Sequence, residues 1–309
     1  MEVPQTVTGD TLGIGDLARR TGVPVRTIRF YCDEGLLDPV RSVGGHRRFD
    51  QDAIPRLDLV RRLRALGLGL PAITSVLTGE RSMGEAVAAE RAALDVELSA
   101  LAWRRACLSA VEQAGPAERA ARLELLAAAQ DGRVAHQVLA VFWRDRFTNP
   151  VPDETLAMFL DVSAPPPPTD PSPAQVVAYA ELVALVNDPA LAAGLRASAH
   201  ANAKVITDEA ALQDGVGAAC AAALPKVAAG QAPGPGQELD LFVATHAAVR
   251  GHRDSPSFRR SLLADVAVDR DPRMRRYWTG VRVVTAQPVA LGESHTWLLD
   301  SLAHSIGAS

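Results

Sequence analysis

The fold of the first quarter of the chain is decided by residues 14–31, which read IGDLARRTGVPVRTIRFY. Between Leu12 and Thr21 the apolar residues are spaced for a short helix, and Gly22 ends it as a C-terminal glycine does. A second helix is predicted from Val25 onward, and Gly35 closes it. Two short helices about a glycine turn predict a helix-turn-helix, whose second helix can lie in the major groove of DNA.

A small β-hairpin is predicted next, over residues 40–49, which read VRSVGGHRRF. Its turn is Gly44-Gly45, a pair that readily takes positive φ. Beyond this wing, helical spacing of apolar residues predicts a third helix capped by Asp50, then a fourth. Because Pro55 would remove a backbone hydrogen bond past the first turn, we expect the third helix to start later than Asp50 or to kink.

Charge is divided unevenly along the chain. The net charge of the 309 residues is −4, but residues 12–79 contain eleven arginines and seven acidic residues. That segment therefore carries +4, and the remainder carries −8. A basic segment attracts an anionic partner, so the N-terminal end is the part of the chain that suits nucleic acid.

The composition predicts a mainly α protein. Hydrophobic residues make up 48% of the chain and aromatic residues only 5%, and alternating β-branched runs are scarce. No stretch approaches about 18 consecutive apolar residues, and a signal-peptide pattern is missing, so we expect a cytoplasmic protein without a membrane segment. Cys32, Cys107 and Cys220 are too far apart to indicate a metal pair or a disulfide framework.

The N-terminal segment is similar to a known family. The matching residues stand at fixed spacings: Leu17-Ala18, Thr21-Gly22-Val23, Thr27-Ile28-Arg29-Phe30-Tyr31, Gly35-Leu36-Leu37, Gly45-His46-Arg47 and Leu63-Arg64-x-Leu66-Gly67. On these motifs, residues 12–80 resemble the winged helix-turn-helix DNA-binding domain of the MerR family of transcription regulators. The resemblance covers about the first quarter, and residues 1–11 are expected to form a flexible tail before it.

Side chains on the second helix and on the wing are the candidates for DNA contacts. Guanidinium groups can reach guanine edges or phosphates, and hydroxyl groups can bond phosphate oxygens. The candidates on the helix are Arg26, Thr27, Arg29 and Tyr31. Those on the wing are His46, Arg47 and Arg48.

Residues 81–115 contain no proline and predict one long helix of roughly 45 Å, at 1.5 Å per residue. Apolar residues recur in it at coiled-coil spacing. The candidates for a dimer contact are Val87, Leu94, Leu98, Leu101 and Leu108. The resemblance implies that this helix pairs antiparallel with that of a second copy, so that a homodimer presents two recognition helices to a pseudo-palindromic site.

Residues 116–309 predict an all-α domain whose chemistry the sequence does not identify. A proline-rich stretch at 163–173 is expected to be an extended, exposed spacer, and a Gly/Pro linker at 230–237 is expected to separate the final block. Asp188-Pro189, Ser255-Pro256 and Asp271-Pro272 each combine a capping side chain with proline at the first helical position, which predicts three helix starts.

The C-terminal domain is interpreted as a sensor for a small organic effector. It contains no phosphate loop, no paired-histidine metal helix and no nucleophile elbow, so we expect neither an enzyme nor a bound cofactor or metal. Aromatic residues, which suit an amphipathic ligand, are clustered instead. The ligand candidates are Phe142, Trp143, Phe147, Tyr277 and Trp278, with Asp145, Asp161 and Glu181 as possible counter-charges.

These patterns predict a dimeric DNA-binding transcription regulator with three parts: residues 12–80 for DNA, 81–115 for dimerisation and 116–309 for the effector. The resemblance implies that it acts on double-stranded promoter DNA by bending and untwisting it so that RNA polymerase can engage. In one alternative, the C-terminal domain docks a protein partner instead of a small molecule. In another, it is an enzyme whose catalytic cluster the sequence spacing conceals.

Overall fold

The computed structural model describes residues 11–41 and 45–307. Its chain divides into two compact units, Met1–Leu98 and Ser99–Ser309. Most of the tail expected at residues 1–11 lies outside the described residues, as does Gly44 of the predicted turn. The division falls inside the long helix, so neither unit coincides with a part expected from the sequence.

The N-terminal unit is a winged helix-turn-helix. Its elements are β1 Leu12–Gly13, α1 Ile14–Thr21, α2 Val25–Asp33, β2 Val40–Arg41, β3 Arg47–Phe49, α3 Ala53–Ala65, α4 Leu70–Leu77 and the start of α5 Met83–Gln113. The strands form an antiparallel sheet in the order β1-β3-β2, in which Leu12 pairs with Phe49 and Val40 with Arg48. The wing is therefore a hairpin extended by a third strand, and Leu12 belongs to that strand rather than to the first helix.

Glycine and proline set the helix ends in this unit. Gly22 has φ 69°, and its N–H donates to the carbonyl of Ala18 at 2.9 Å, which ends α1. Pro55 is the third residue of α3, where a backbone N–H has no partner within the helix, so proline causes no kink there. Asp50 accepts a hydrogen bond from the backbone N–H of Ala53, and α3 begins after it as the sequence indicated.

Helix α5 is one element of 31 residues, Met83–Gln113, which confirms the predicted long helix. Its start is fixed by a reciprocal cap. The Ser82 hydroxyl accepts from the backbone N–H of Glu85, and the Glu85 carboxylate accepts from both the hydroxyl and the N–H of Ser82. These bonds also lower the pKa of Glu85, led by the side-chain bond to Ser82.

The described part of the C-terminal unit is all helical, as expected. After the end of α5 it contains α6 Arg119–Ala127, α7 Gly132–Arg144, α8 Asp153–Ser163, α9 Pro173–Val186, α10 Pro189–Asn202, α11 Glu209–Ala228, α12 Gln237–Ala248, α13 Pro256–Asp265, a 3₁₀ turn Ala267–Arg270, α14 Pro272–Thr285 and α15 Leu291–Gly307. Asp188, Ser255 and Asp271 cap α10, α13 and α14 through their side chains, which confirms the three predicted starts. Helix α8 begins directly at Asp153, and its first turn is acidic, with Asp153 and Glu154.

Two apolar clusters form the core of this unit. In one, α9 packs against α14 and α7, with Trp143, Tyr179 and Tyr277 fully buried. In the other, α11, α12 and α15 pack together around Phe242 and Leu298. Among the described residues no single helix has the length and hydropathy to cross a membrane, although α9 and α10 pass that test together with a bend of 65° between them.

The proline-rich stretch is not the exposed spacer that the sequence suggested. Ser163, Ala164 and Pro165 are buried, and each carbonyl accepts a hydrogen bond: from the hydroxyl of Tyr277, from Nε2 of His136 and from the hydroxyl of Tyr179. Prolines have no backbone N–H, so a proline-rich segment can be buried once its carbonyl groups have donors. The expectation of an exposed spacer did not take this into account.

The Gly/Pro linker at 230–237 does not separate a further block. Helices α11 and α15, on either side of it in the chain, pack together. The loop itself is tied down, since Gln231 accepts from Nε1 of Trp297 at 2.8 Å and the Gly234 N–H donates to the Ser301 hydroxyl at 3.0 Å. It is a connection within one unit.

Close packing at Gly292 gives a stability prediction. A Cβ atom at this position would lie 2.0 Å from Cδ2 of Trp278, a buried ring that cannot give way easily. We expect Gly292→Ala to lower the free energy of unfolding by about 1–3 kcal/mol, measured by urea unfolding followed by tryptophan fluorescence.

Gly217→Ala is the matched control. A Cβ there meets nothing within 4 Å, so the substitution should stabilise helix α11 by up to about 1 kcal/mol. An unchanged urea midpoint for Gly292→Ala would contradict the packing described here.

Candidate nucleic-acid interface and C-terminal cavity

Helix α2 turns two arginines outward. With 3.6 residues per turn, Arg26, Arg29 and Phe30 share its exposed face, while Ile28 and Tyr31 share the buried one. Neither Arg26 nor Arg29 forms an ion pair or a side-chain hydrogen bond within the described part of the chain. Their guanidinium donors are therefore available to an anionic partner.

Tyr31 and its neighbour Phe30 differ in burial. Tyr31, a candidate for DNA contact, is only 9% exposed and packs in the N-terminal core, whereas Phe30 is 47% exposed. The helical period decides this, because Tyr31 lies three residues after Ile28, which is fully buried. The remaining candidate on this helix, Thr27, is half-buried.

Both wing arginines are already engaged within the domain. Arg47 forms an ion pair with Asp33 at 2.7 Å, which links the wing to the end of α2. Arg48 donates to the carbonyl and hydroxyl of Thr11 at 2.6 and 3.1 Å. These two side chains hold the wing in place, whereas the third wing candidate, His46, is exposed.

An apolar stripe lies on the surface of α5. Its five members are 38–64% exposed in the single chain: Val87, Leu94, Leu98, Leu101 and Leu108. At 100° per residue they fall within about a quarter of the helix circumference. In the part of α5 that belongs to the C-terminal unit, Trp103 and Ala106 are buried on the other side of the helix. The stripe is thus an apolar face of α5 that no described residue of the chain covers.

The C-terminal unit encloses a cavity of about 450 Å³ between α7, α8, α10, α11, α12, α14 and α15. Of the five ligand candidates, Trp143, Phe147 and Trp278 line it, together with Phe159. Phe142 and Tyr277 do not line it. Phe142 packs edge-on behind Trp143, and the Tyr277 hydroxyl accepts from Nε1 of Trp143 and donates to the Ser163 carbonyl, both at 2.6 Å.

One end of the cavity is polar. Arg146 pairs there with Asp269 at 2.9 Å, and its guanidinium lies 5.6 Å from the centre of the Trp143 ring. Burial is the largest single influence on Asp269 and raises its pKa, but the charges of Arg146 and His295 and the hydrogen bond from Arg146 together outweigh burial and hold the pKa of Asp269 below its usual value. His295 is close by, and burial lowers its pKa although the Asp269 charge acts the other way.

His246 lines the cavity from α12 and has one nitrogen without a partner. Its Nδ1 atom lies 2.8 Å from Nη1 of Arg250, while Nε2 is buried and forms no hydrogen bond. Burial, followed by the Arg250 charge, lowers the pKa of His246 to about 3. The imidazole is therefore neutral at physiological pH.

The sequence missed most of the cavity wall. The expected counter-charges Asp145, Asp161 and Glu181 are exposed and lie outside it, whereas Glu209, Asp214 and Asp269 line it. The wall is assembled from seven helices distant in the chain, so no local spacing brings its members together. Within the described residues, no group of three or more His, Cys, Asp or Glu side chains is arranged to hold a metal ion.

Comparisons with known proteins match part of the chain. The chain is 37% identical over 87 residues to the nodulation protein NolA of a Bradyrhizobium species, which is 28% of this chain and 37% of that protein. It is 42% identical over 67 residues to an HTH-type transcriptional activator SoxR homolog of Chromobacterium violaceum, 22% of this chain and 45% of that protein. It is 38% identical over 60 residues to the HTH-type transcriptional regulator CueR of Salmonella typhimurium, 19% and 44% respectively.

The chain spans less than half the length of each of these relatives. No solved structure matches it. Residues 12–80 match the family described as MerR HTH family regulatory protein, over the helix-turn-helix and wing described above. Residues 12–80 are therefore a MerR-family helix-turn-helix domain.

Proposed function

We propose that the chain is a dimeric, sequence-specific DNA-binding transcriptional regulator of the MerR type, controlled by a small organic molecule in its C-terminal cavity. The observation that carries the proposal is a MerR-family domain whose second helix exposes two unpaired arginines, Arg26 and Arg29. A helix of this kind can enter the major groove, where guanidinium groups bond guanine or phosphate oxygens. Phe30, exposed on the same face, adds an apolar contact, for which a thymine methyl group is suited.

The wing extends this surface along the DNA backbone. His46 contacts the flanking phosphates, and Arg47 and Arg48 hold the hairpin in position through Asp33 and Thr11. The charge of Arg47 is already partly neutralised by its pairing with Asp33. We therefore assign most of the free charge to α2 rather than to the wing.

Dimerisation takes place through the apolar stripe on α5. A stripe of leucine and valine exposed on one long helix is stabilised when a second copy covers it, and heptad spacing suits a coiled coil. Two-fold pairing then presents two α2 helices to two half-sites of promoter DNA.

Control by a ligand follows from linkage between the cavity and the DNA-bound state. A ligand that binds one dimer conformation more tightly shifts the population toward it, and that dimer bends and untwists the promoter so that RNA polymerase engages. The cavity supports a small molecule over a protein partner, since the proline-rich stretch that motivated protein docking is buried over its first three residues.

Removing either free arginine of α2 tests the DNA surface. Arg26→Ala and Arg29→Ala should each weaken binding to a duplex selected from a random pool by the wild-type protein. In a dimer each substitution removes two cationic contacts, so where these contacts are to phosphate the slope of log affinity against log salt should fall by about 2.

Arg144→Ala is the charge-matched control, because Arg144 is exposed on the C-terminal unit and makes no ion pair among the described residues. It should leave DNA affinity unchanged. Equal affinities for wild type, Arg26→Ala and Arg29→Ala at fixed salt would sink the assigned surface.

Charge placed on the α5 stripe tests dimerisation. The double variant Leu94→Glu/Leu101→Glu should run at the monomer mass of 32.7 kDa by light scattering, where the wild type runs at twice that mass. Val96→Glu is the control, since Val96 is 45% exposed on the opposite side of α5. Wild-type mass for the double variant, or equal dissociation by Val96→Glu, would refute the interface.

A further inference from the structure

We propose that the C-terminal cavity binds an uncharged, ring-containing molecule with one hydrogen-bond acceptor, such as a ketone, and that Nε2–H of His246 donates to this acceptor. The inference rests on the ligand control proposed above and names the chemical class of the effector. It starts from the pairing between His246 and Arg250, which assigns the proton on the imidazole.

The proton must be on Nε2. A guanidinium can only donate, so Nδ1 of His246 accepts the hydrogen bond from Nη1 of Arg250 at 2.8 Å. A neutral imidazole carries a single N–H, and with Nδ1 accepting, that N–H is Nε2–H. Arg250 is fixed in turn, since it also donates to the carbonyl of His246 and to Oδ1 of Asn202.

This donor has no partner among the residues that the structure describes. His246 is only 6% exposed, and Nε2 is buried without a hydrogen bond. A buried donor left unpaired is unfavourable, and proteins rarely keep one without a use for it. His246 lines the cavity and its Nδ1 edge is taken by Arg250, so we assign the acceptor for Nε2–H to the cavity contents.

The aromatic part of the cavity wall favours a flat ring system. Trp143 and Trp278 stack at 5.4 Å, and Phe147 and Phe159 pack edge-to-face at 4.9 Å; all four line the cavity. Aromatic faces of this kind bind planar apolar groups. Met158, which also lines the cavity, can adapt to the outline of the ring system.

The charges on the wall disfavour an anionic acceptor. The lining carries three carboxylates, on Glu209, Asp214 and Asp269, against the single guanidinium of Arg146. That guanidinium is already paired with Asp269 at 2.9 Å. A ligand carboxylate or phosphate would meet net negative charge, so the acceptor is a neutral oxygen.

The matched probes 9-fluorenone and fluorene test the assignment, because they share one three-ring skeleton and only fluorenone has a carbonyl. Their affinities for the full chain are measured by quenching of tryptophan fluorescence, since all four tryptophans lie within residues 99–309. The quantity of interest is the fluorenone-to-fluorene affinity ratio, compared between wild type and variants.

Three variants give the comparison its controls. His246→Phe keeps an aromatic ring without Nε2–H and should lower the ratio about tenfold, the effect of one hydrogen bond. His246→Gln can both accept from Arg250 and donate to the ligand, so it should restore the preference for fluorenone. Gly217→Leu should abolish binding of both probes, because Gly217 lines the cavity and a Cβ there enters open space without a clash.

An equal fluorenone-to-fluorene affinity ratio in wild type and His246→Phe would overturn the proposal. Probe binding that survives Gly217→Leu would also overturn it, and so would a lack of fluorenone binding up to its solubility limit. Should His246→Phe fail to fold, the ratio in wild type against His246→Gln and the loss in Gly217→Leu decide. DNA affinity is measured separately with and without fluorenone. Fluorenone that binds as expected yet leaves DNA affinity unchanged would refute ligand control while the assigned ligand class stands.

Discussion

The C-terminal unit depends on a short chain of hydrogen bonds in its centre. Nε1 of Trp143 donates to the Tyr277 hydroxyl, which donates to the Ser163 carbonyl, each at 2.6 Å. The helices α7, α14 and α8 thereby meet at one buried point. The indole N–H, the hydroxyl group and the carbonyl that meet there are all hydrogen-bonded. Unpaired, the same indole and hydroxyl groups would make this core unfavourable, and paired they fix the position of Trp143.

That fixed tryptophan joins the core to the cavity. One side of Trp143 packs on Tyr277 inside the core, while the ring also forms part of the cavity wall beside Trp278. The segment after Ser163 supports this arrangement, because Pro165 offers a carbonyl to Tyr179 and brings no N–H that would need a partner. Proline content alone predicts an exposed spacer. A proline-rich backbone, however, presents carbonyl acceptors with few N–H donors, so it can be buried beside tyrosine hydroxyl groups.

Local patterns in the sequence identified the N-terminal domain and the helix starts, since caps and glycine ends act over a few residues. The sequence also predicted that α5 would be one long helix with an apolar stripe. Predictions from the sequence were wrong or incomplete where burial depends on contacts between distant parts of the chain. The helical phase that buries Tyr31 and exposes Phe30 is set by the neighbours of Ile28, and the cavity wall is assembled from seven helices. Trp143, Phe147 and Trp278 were found by their aromatic character, whereas His246 is distinguished only by its pairing with Arg250.

The double use of Trp143 limits how a cavity of this kind can change during evolution. A substitution there would alter the shape of the cavity and break the central hydrogen-bond chain together, so it would be removed by selection on folding alone. Substitutions at Met158 and Gly217 would not disturb the core in this way. Met158 is exposed, and a Cβ atom at Gly217 would meet nothing within 4 Å. Related chains that recognise different molecules should therefore diverge at these permissive positions on α8 and α11 while retaining the tryptophan.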